Sequence, residues 1–217
     1  YFLNAGTALV AGFMHQAVAG DGNFDDKAVQ ANAAVGSTTI SLTNGATTLA
    51  KDELENGYVL FYTAGTPSTL LGCYPIKANQ LEVAGSATYK ISLEGSEGLV
   101  TAIDTSDKYS VIHNLWYKVV TWANNAAPTA RVVGASVRIV TASYYGFLQT
   151  RGICNLLCDD GAAFDPGDSV TGGAIGSATD GYKDNSLSSN DYDIEIVGTS
   201  CNVGSTDDGA FVFLKIE

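Results

Sequence analysis

Three groupings of side chains have the types and spacing to do chemistry. Gly167-Asp168-Ser169-Val170 has the make-up of a serine-esterase block, in which a hydroxyl attacks an acyl carbon while a histidine takes its proton. Both histidines, His15 and His113, precede Ser169 in the chain, the wrong order for that block, so the string reads as a Pro-Gly-Asp turn. Asp21-x-Asn23-x-Asp25 opens like a calcium-binding loop, but Asp26 stands where the turn glycine belongs and Asn32 where the bidentate glutamate belongs. Asp191, Asp193 and Glu195 alternate with Tyr192, Ile194 and Ile196. An extended strand sets those three carboxylates on one face, where they repel unless solvated or bridged by a cation. They are the calcium candidates; solvation is the favoured reading, and no metal or other cofactor is expected.

Nucleotide chemistry lacks its signature: Gly172-Gly173-Ala174-Ile175-Gly176 has neither the spacing nor the following lysine of a phosphate cradle. The four cysteines, Cys73, Cys154, Cys158 and Cys201, are widely spread, and the histidines are too distant in sequence to complete a zinc set. On an extended strand Cys154 and Cys158 lie about 13 Å apart, beyond the roughly 7 Å reach of a disulfide. Buried free thiols are expected. Two aromatic groups remain, Trp116-Tyr117 with Trp122 and Tyr144-Tyr145 with Phe147; on an exposed β face such rings stack on sugars, and in a core they simply pack.

The elements that must position these residues are strands. Helical periodicity is scarce, while short alternating runs bounded by Gly, Asn and Asp recur. The alternation predicts strands at 38–42, 58–62, 89–93, 109–112, 117–122, 136–142, 146–151, 193–197 and 209–216. Asn44-Gly45 suggests a hairpin turn, and Ala50 to Glu55 a single helical turn ended by Asn56-Gly57. Residues 1–20 carry no charge, but polar residues and glycines interrupt them, so they read as strand and turn rather than a membrane segment. Residues 172–190 read as a long surface loop. Alternation stops near Pro128, which places a division between an N-terminal β module, 1–126, and a C-terminal one, 127–217. The expected fold is all-β, with two small barrel- or sandwich-like modules.

Charge narrows the partners. The 217 residues hold 11 Lys and Arg against 23 Asp and Glu, a net charge of −12. Phosphate binding needs clustered cations, so nucleic acid and anionic membranes are excluded as partners. Residues 1–158 are nearly balanced, at 11 acids to 9 bases, whereas 159–217 hold 12 acids and 2 bases. Charged residues make up only 16% of the chain, against roughly 25% in ordinary soluble domains. A lightly charged, small-residue chain with no assembled active site suits burial against copies of itself or a larger shell.

Two blocks resemble a known family. Ala34-Val35-Gly36-Ser37-Thr38-Thr39-Ile40-Ser41-Leu42-Thr43 with Gly45-Ala46-Thr47, Asp52-Glu53-Leu54 to Gly57-Tyr58, and Lys108-Tyr109-Ser110-Val111-Ile112 look like a β module of tailed-bacteriophage virion proteins. Tyr145-Gly146-Phe147-Leu148-Gln149-Thr150-Arg151-Gly152, followed by Pro166-Gly167-Asp168-Ser169-Val170, is similar to their C-terminal half and resembles the β-tulip of head decoration proteins. That resemblance implies a cement protein on the capsid exterior that binds the major capsid protein, a homotrimer, and no catalytic residue. The rival readings are a tail- or fibre-associated adhesin for host glycans and a secreted glycan-active enzyme.

Within the second block, alternation sends Tyr145, Phe147 and Gln149 to one face. Arg151, one of three arginines, stands at the strand end, where its guanidinium can meet carboxylates across a subunit contact. Tyr145, Phe147, Gln149 and Arg151 are therefore the interface candidates.

Overall fold

A computed structural model describes residues 2–4, 6–45, 47–82, 88–122, 129–157, 165–172, 179–182, 196–202 and 209–216. In chain order the strands are β1 (Phe2–Leu3), β2 (Met14–Gln16), β3 (Lys27–Ala28), β4 (Thr39–Thr43), β5 (Tyr58–Tyr62), β6 (Leu70–Asn79), β7 (Thr88–Leu93) and β8 (Lys108–Ile112). They continue with β9 (Val120–Thr121), β10 (Val132–Ala135), β11 (Tyr145–Gly146), β12 (Arg151–Leu157), β13 (Ser169–Gly172), β14 (Thr179–Tyr182), β15 (Gly198–Ser200) and β16 (Gly209–Lys215). The fold is all-β: among the described residues the one helical element is a 3-10 turn, Gly22–Phe24.

The chain does not divide at 126/127. One compact unit is formed by residues 1–19 together with 115–217, and the other by 20–114, inserted between them. The physical reason is pairing over long sequence distances. β1 pairs β11, and β2 lies between β10 and β9, so the N-terminal residues complete the module to which the C-terminal half belongs. Residues 123–128, where the division was expected, lie outside the described residues.

The inserted unit is a six-stranded antiparallel sheet in the order β3-β8-β5-β6-β7-β4. A bridge between Val29 and Leu42, with Gln30 N donating to Ser41 O (3.1 Å), joins its two ends and makes it barrel-like. Alternation fills the inside: Ile40 and Leu42 on β4, Val59 and Phe61 on β5, Tyr89, Ile91 and Leu93 on β7, and Tyr109 and Val111 on β8 are all buried. The ten-residue β6 pairs β5 along its first half and β7 along its second, with a register shift in the β7 pairing at Ile76/Ala78. Such a bulge bends a strand from one neighbour to the next, as a closing sheet requires.

In the first unit the three-stranded sheet β10-β2-β9 lies between two others. Met14, Trp122, Val132 and Ala135 pack against Cys154, Leu156, Val170, Val212 and Leu214 of the sheet β12-β16-β15-β13-β14. On its other side Val133 and Val119 pack with Phe2 and Leu9, next to the small β1-β11 sheet. All four residues of β10 are buried for that reason.

Several expected elements differ. Asn44-Gly45 is no hairpin turn, because β4 pairs β7 rather than the next segment. Residues 51–56 are a run of turns, with Asp52 and Asn56 at positive φ. Residues 136–142 form a turn-rich segment with one bridge, Val140 to Leu9, instead of a strand. The expected 172–190 loop contains β14.

Cys73, Cys154 and Cys201 are free thiols, and Cys154 is buried on the extended β12. Burial pushes the Cys154 thiol up to about 11, which starves it of the reactive thiolate. An aromatic disulfide reagent at pH 8 is expected to label the exposed Cys73 and Cys201 promptly and Cys154 only upon unfolding. Peptide mapping without reductant checks this, and a recovered Cys154–Cys158 bridge would refute it.

Candidate functional site

The acidic candidates divide. Asp21 does not open a calcium loop; its carboxylate caps the 3-10 turn, accepting from Asn23 N (2.8 Å) and Asn23 Nδ2 (2.7 Å), while Phe24 is buried behind it. Asp191, Asp193 and Glu195 lie outside the described residues. Among the described residues no three His, Cys, Asp or Glu side chains gather to hold a metal ion. Ser169 starts β13, just after a turn in which Asp168 Oδ2 accepts from Asp165 N (2.8 Å).

A Ser–His pair that the sequence did not signal is formed by Ser136 and His15, with Nε2 2.7 Å from Oγ. Both residues are fully buried. The Ser136 hydroxyl donates its one proton to Val10 O, so His15 Nε2 must carry hydrogen and donate to Ser136. Nδ1 then holds a lone pair that no donor reaches among the described residues. The hydroxyl is committed and closed to substrate, so the pair clamps β2 to the start of the 136–147 segment.

Among the described residues of this unit, that segment gathers several strongly exposed apolar side chains. Val137, Ile139, Val140, Tyr144, Tyr145 and Phe147 line a groove of about 490 Å³, with Arg138 among them. Ile139, Tyr144, Tyr145 and Phe147 are each 60% or more exposed. Its floor is held by the N-terminal residues: Asn4 Nδ2 donates to Val140 O and Thr141 O (3.1 Å each), Asn4 N to Tyr144 O (3.0 Å), and Leu9 N to Val140 O (2.9 Å). Gly146 lies against Val140 and Phe2 so closely that a Cβ there would come within 2.8 Å of Val140. Only glycine lets the strand settle, and settling it turns Tyr145 and Phe147 outward on either side.

The four expected interface residues therefore separate into three roles. Tyr145 and Phe147 share the groove. Gln149 turns inward to the backbone: it exchanges hydrogen bonds with Ala135 (2.8 and 2.9 Å), and its amide donates to Arg151 O (3.1 Å) and Ile153 O (2.8 Å). Those carbonyls lie on the free edge of β12, the outermost strand of its sheet. Covering them with a side-chain amide discourages a foreign strand from pairing there. The expected 146–151 strand is interrupted, and Arg151 begins β12, directly opposite Lys215 of β16.

The other aromatic group is split: Trp116 is exposed. Trp122 is in the core, and Lys118 Nζ lies 5.0 Å over the Tyr117 ring. Sequence reasoning missed Val137 and Ile139, because apolar residues at 137 and 139 suggested a strand face rather than a groove wall. Comparison with protein-family models, curated proteins and solved structures finds no match for this chain.

Proposed function

We propose that the protein is a bacteriophage virion component that decorates the outside of the head, binding the major capsid protein as a homotrimer. The observation carrying this reading is the groove of Val137, Ile139, Tyr144, Tyr145 and Phe147, in which exposed apolar side chains line one concave strip. Contiguous exposed apolar surface rimmed by polar residues marks a protein-binding site. The resemblance of Tyr145 to Gly152 to decoration proteins supports the same reading and makes the first unit β-tulip-like. A ligand that binds only the mature lattice adds its binding free energy to shell stability by mass action, which is all that a cement needs to do.

Co-sedimentation with purified empty capsids tests it. Wild-type protein is expected to pellet with the shells, and Tyr145→Ser with Phe147→Ser to weaken binding at least tenfold without altering the far-ultraviolet spectrum. Absence of wild-type binding overturns the reading. The adhesin alternative rests on the same rings, since Tyr144, Tyr145 and Phe147 expose faces on which a sugar can stack. A glycan-array signal lost in the same variant would select it.

A further inference from the structure

The outward face of the β12–β16 pair is a second surface, distinct in chemistry from the groove. Register and alternation put three cross-strand pairs on it: Arg151 opposite Lys215, Ile153 opposite Phe213, and Asn155 opposite Phe211. Ile153 is 62% exposed, Phe211 54% and Phe213 37%, while the intervening Cys154, Leu156, Val212 and Leu214 fill the core. One end of an apolar patch thus carries two cations side by side. Like charges directly opposite each other destabilise an antiparallel pair, and among the described residues neither Arg151 nor Lys215 forms an ion pair. The chain places two of its 11 basic residues here, although it carries 23 acids.

We infer that this face binds a second copy of the same chain, head to tail, taking an acid-fringed apolar surface of the neighbour over Ile153, Phe211 and Phe213 with its carboxylates on Arg151 and Lys215. Charge selects that occupant. Two copies at −12 repel on average, so they meet best where one of them is locally positive. Among the described residues the β12–β16 face holds no carboxylate, so pairing it with itself brings none of these to either cation pair. The acids must come from elsewhere on the neighbour, and 159–217, in the same unit, carries 12 of them. A contact between two different surfaces repeats, and it closes into a ring when the rotation allows. Bidentate Arg–carboxylate bonds shielded by the surrounding apolar side chains would fix the register.

This inference rests on the proposed reading for the idea that copies associate, but its test needs no shell. Sedimentation velocity of the full chain is expected to show a species larger than the monomer at 0.05 M NaCl, weakened at 0.5 M as charges are screened. Arg151→Glu with Lys215→Glu is expected to raise the self-association constant for dissociation at least tenfold, and Phe211→Ser to do the same, with unchanged melting curves because all three side chains are exposed. Tyr145→Ser with Phe147→Ser should leave self-association intact while weakening shell binding at least tenfold, which separates the two surfaces. A wild-type chain that stays monomeric at all concentrations and salts overturns the inference, as does association that survives both face variants.

Discussion

Phe61→Ala is expected to destabilise the inserted unit by about 3–5 kcal/mol, the range for removing a fully buried aromatic ring. Phe61 lies on β5, which is hydrogen-bonded on both edges, to β8 and to β6. It has no exposed surface, and its ring centroid is 6.1 Å from that of Tyr74. A strand held on both sides cannot shift to collapse the cavity, so the loss approaches the upper end of the range. Against a typical domain stability of 5–15 kcal/mol, that is a large share. Tyr58→Thr on the same strand, where the side chain is 48% exposed, should change stability by about 0.5 kcal/mol or less. Denaturant unfolding of both variants checks the contrast. A loss below about 1 kcal/mol for Phe61→Ala would show that the barrel interior repacks freely, contrary to a closed, two-sided strand.

Acid is expected to weaken the first unit through His15. Burial lowers the His15 pKa from 6.5 to about 4, because the protonated ring would lose its hydration in the core. Between pH 6.5 and about 4 the unfolded chain takes a proton at this residue that the folded chain refuses. The unfolded state therefore binds more protons, and stability falls as pH falls through that window. The neutral-His contribution is complete above pH 6.5 and is lost by about pH 4, a total of about 3 kcal/mol at 1.36 kcal/mol per pKa unit. His15→Gln keeps a donor for Ser136 but does not titrate, so it should lower stability at pH 7 and flatten the slope between pH 6.5 and 4. Chemical denaturation at a series of pH values measures this. An equal slope in wild type and variant would remove His15 as the source.

Because His15 clamps the start of the 136–147 segment, acid loosening has a functional correlate. If the proposed capsid binding uses the groove, it should weaken over the same pH window in wild type and less so in His15→Gln. The clamp and the groove are joined directly along the chain, Ser136 to Val137.

What the sequence determined by itself was local. Period-two alternation identified β4, β5, β7, β8 and β16 almost to the residue, because each buries one face and leaves the other wet, so side-chain type reports orientation. The outward turn of Tyr145 and Phe147 was legible for the same reason. β6 was not, since Gly72 and Pro75 interrupt a run that is bent between two neighbours, and neither was β10, which is buried on both faces and so shows no alternation. The tertiary structure alone decided three things. It joined residues 1–19 to the C-terminal half; it laid the Gln149 amide over the carbonyls of a strand edge; and it set Arg151 against Lys215, 64 positions away. Each depends on which distant strand becomes the neighbour. That choice is made by the free energy of burying whole faces together, which no window along the chain contains.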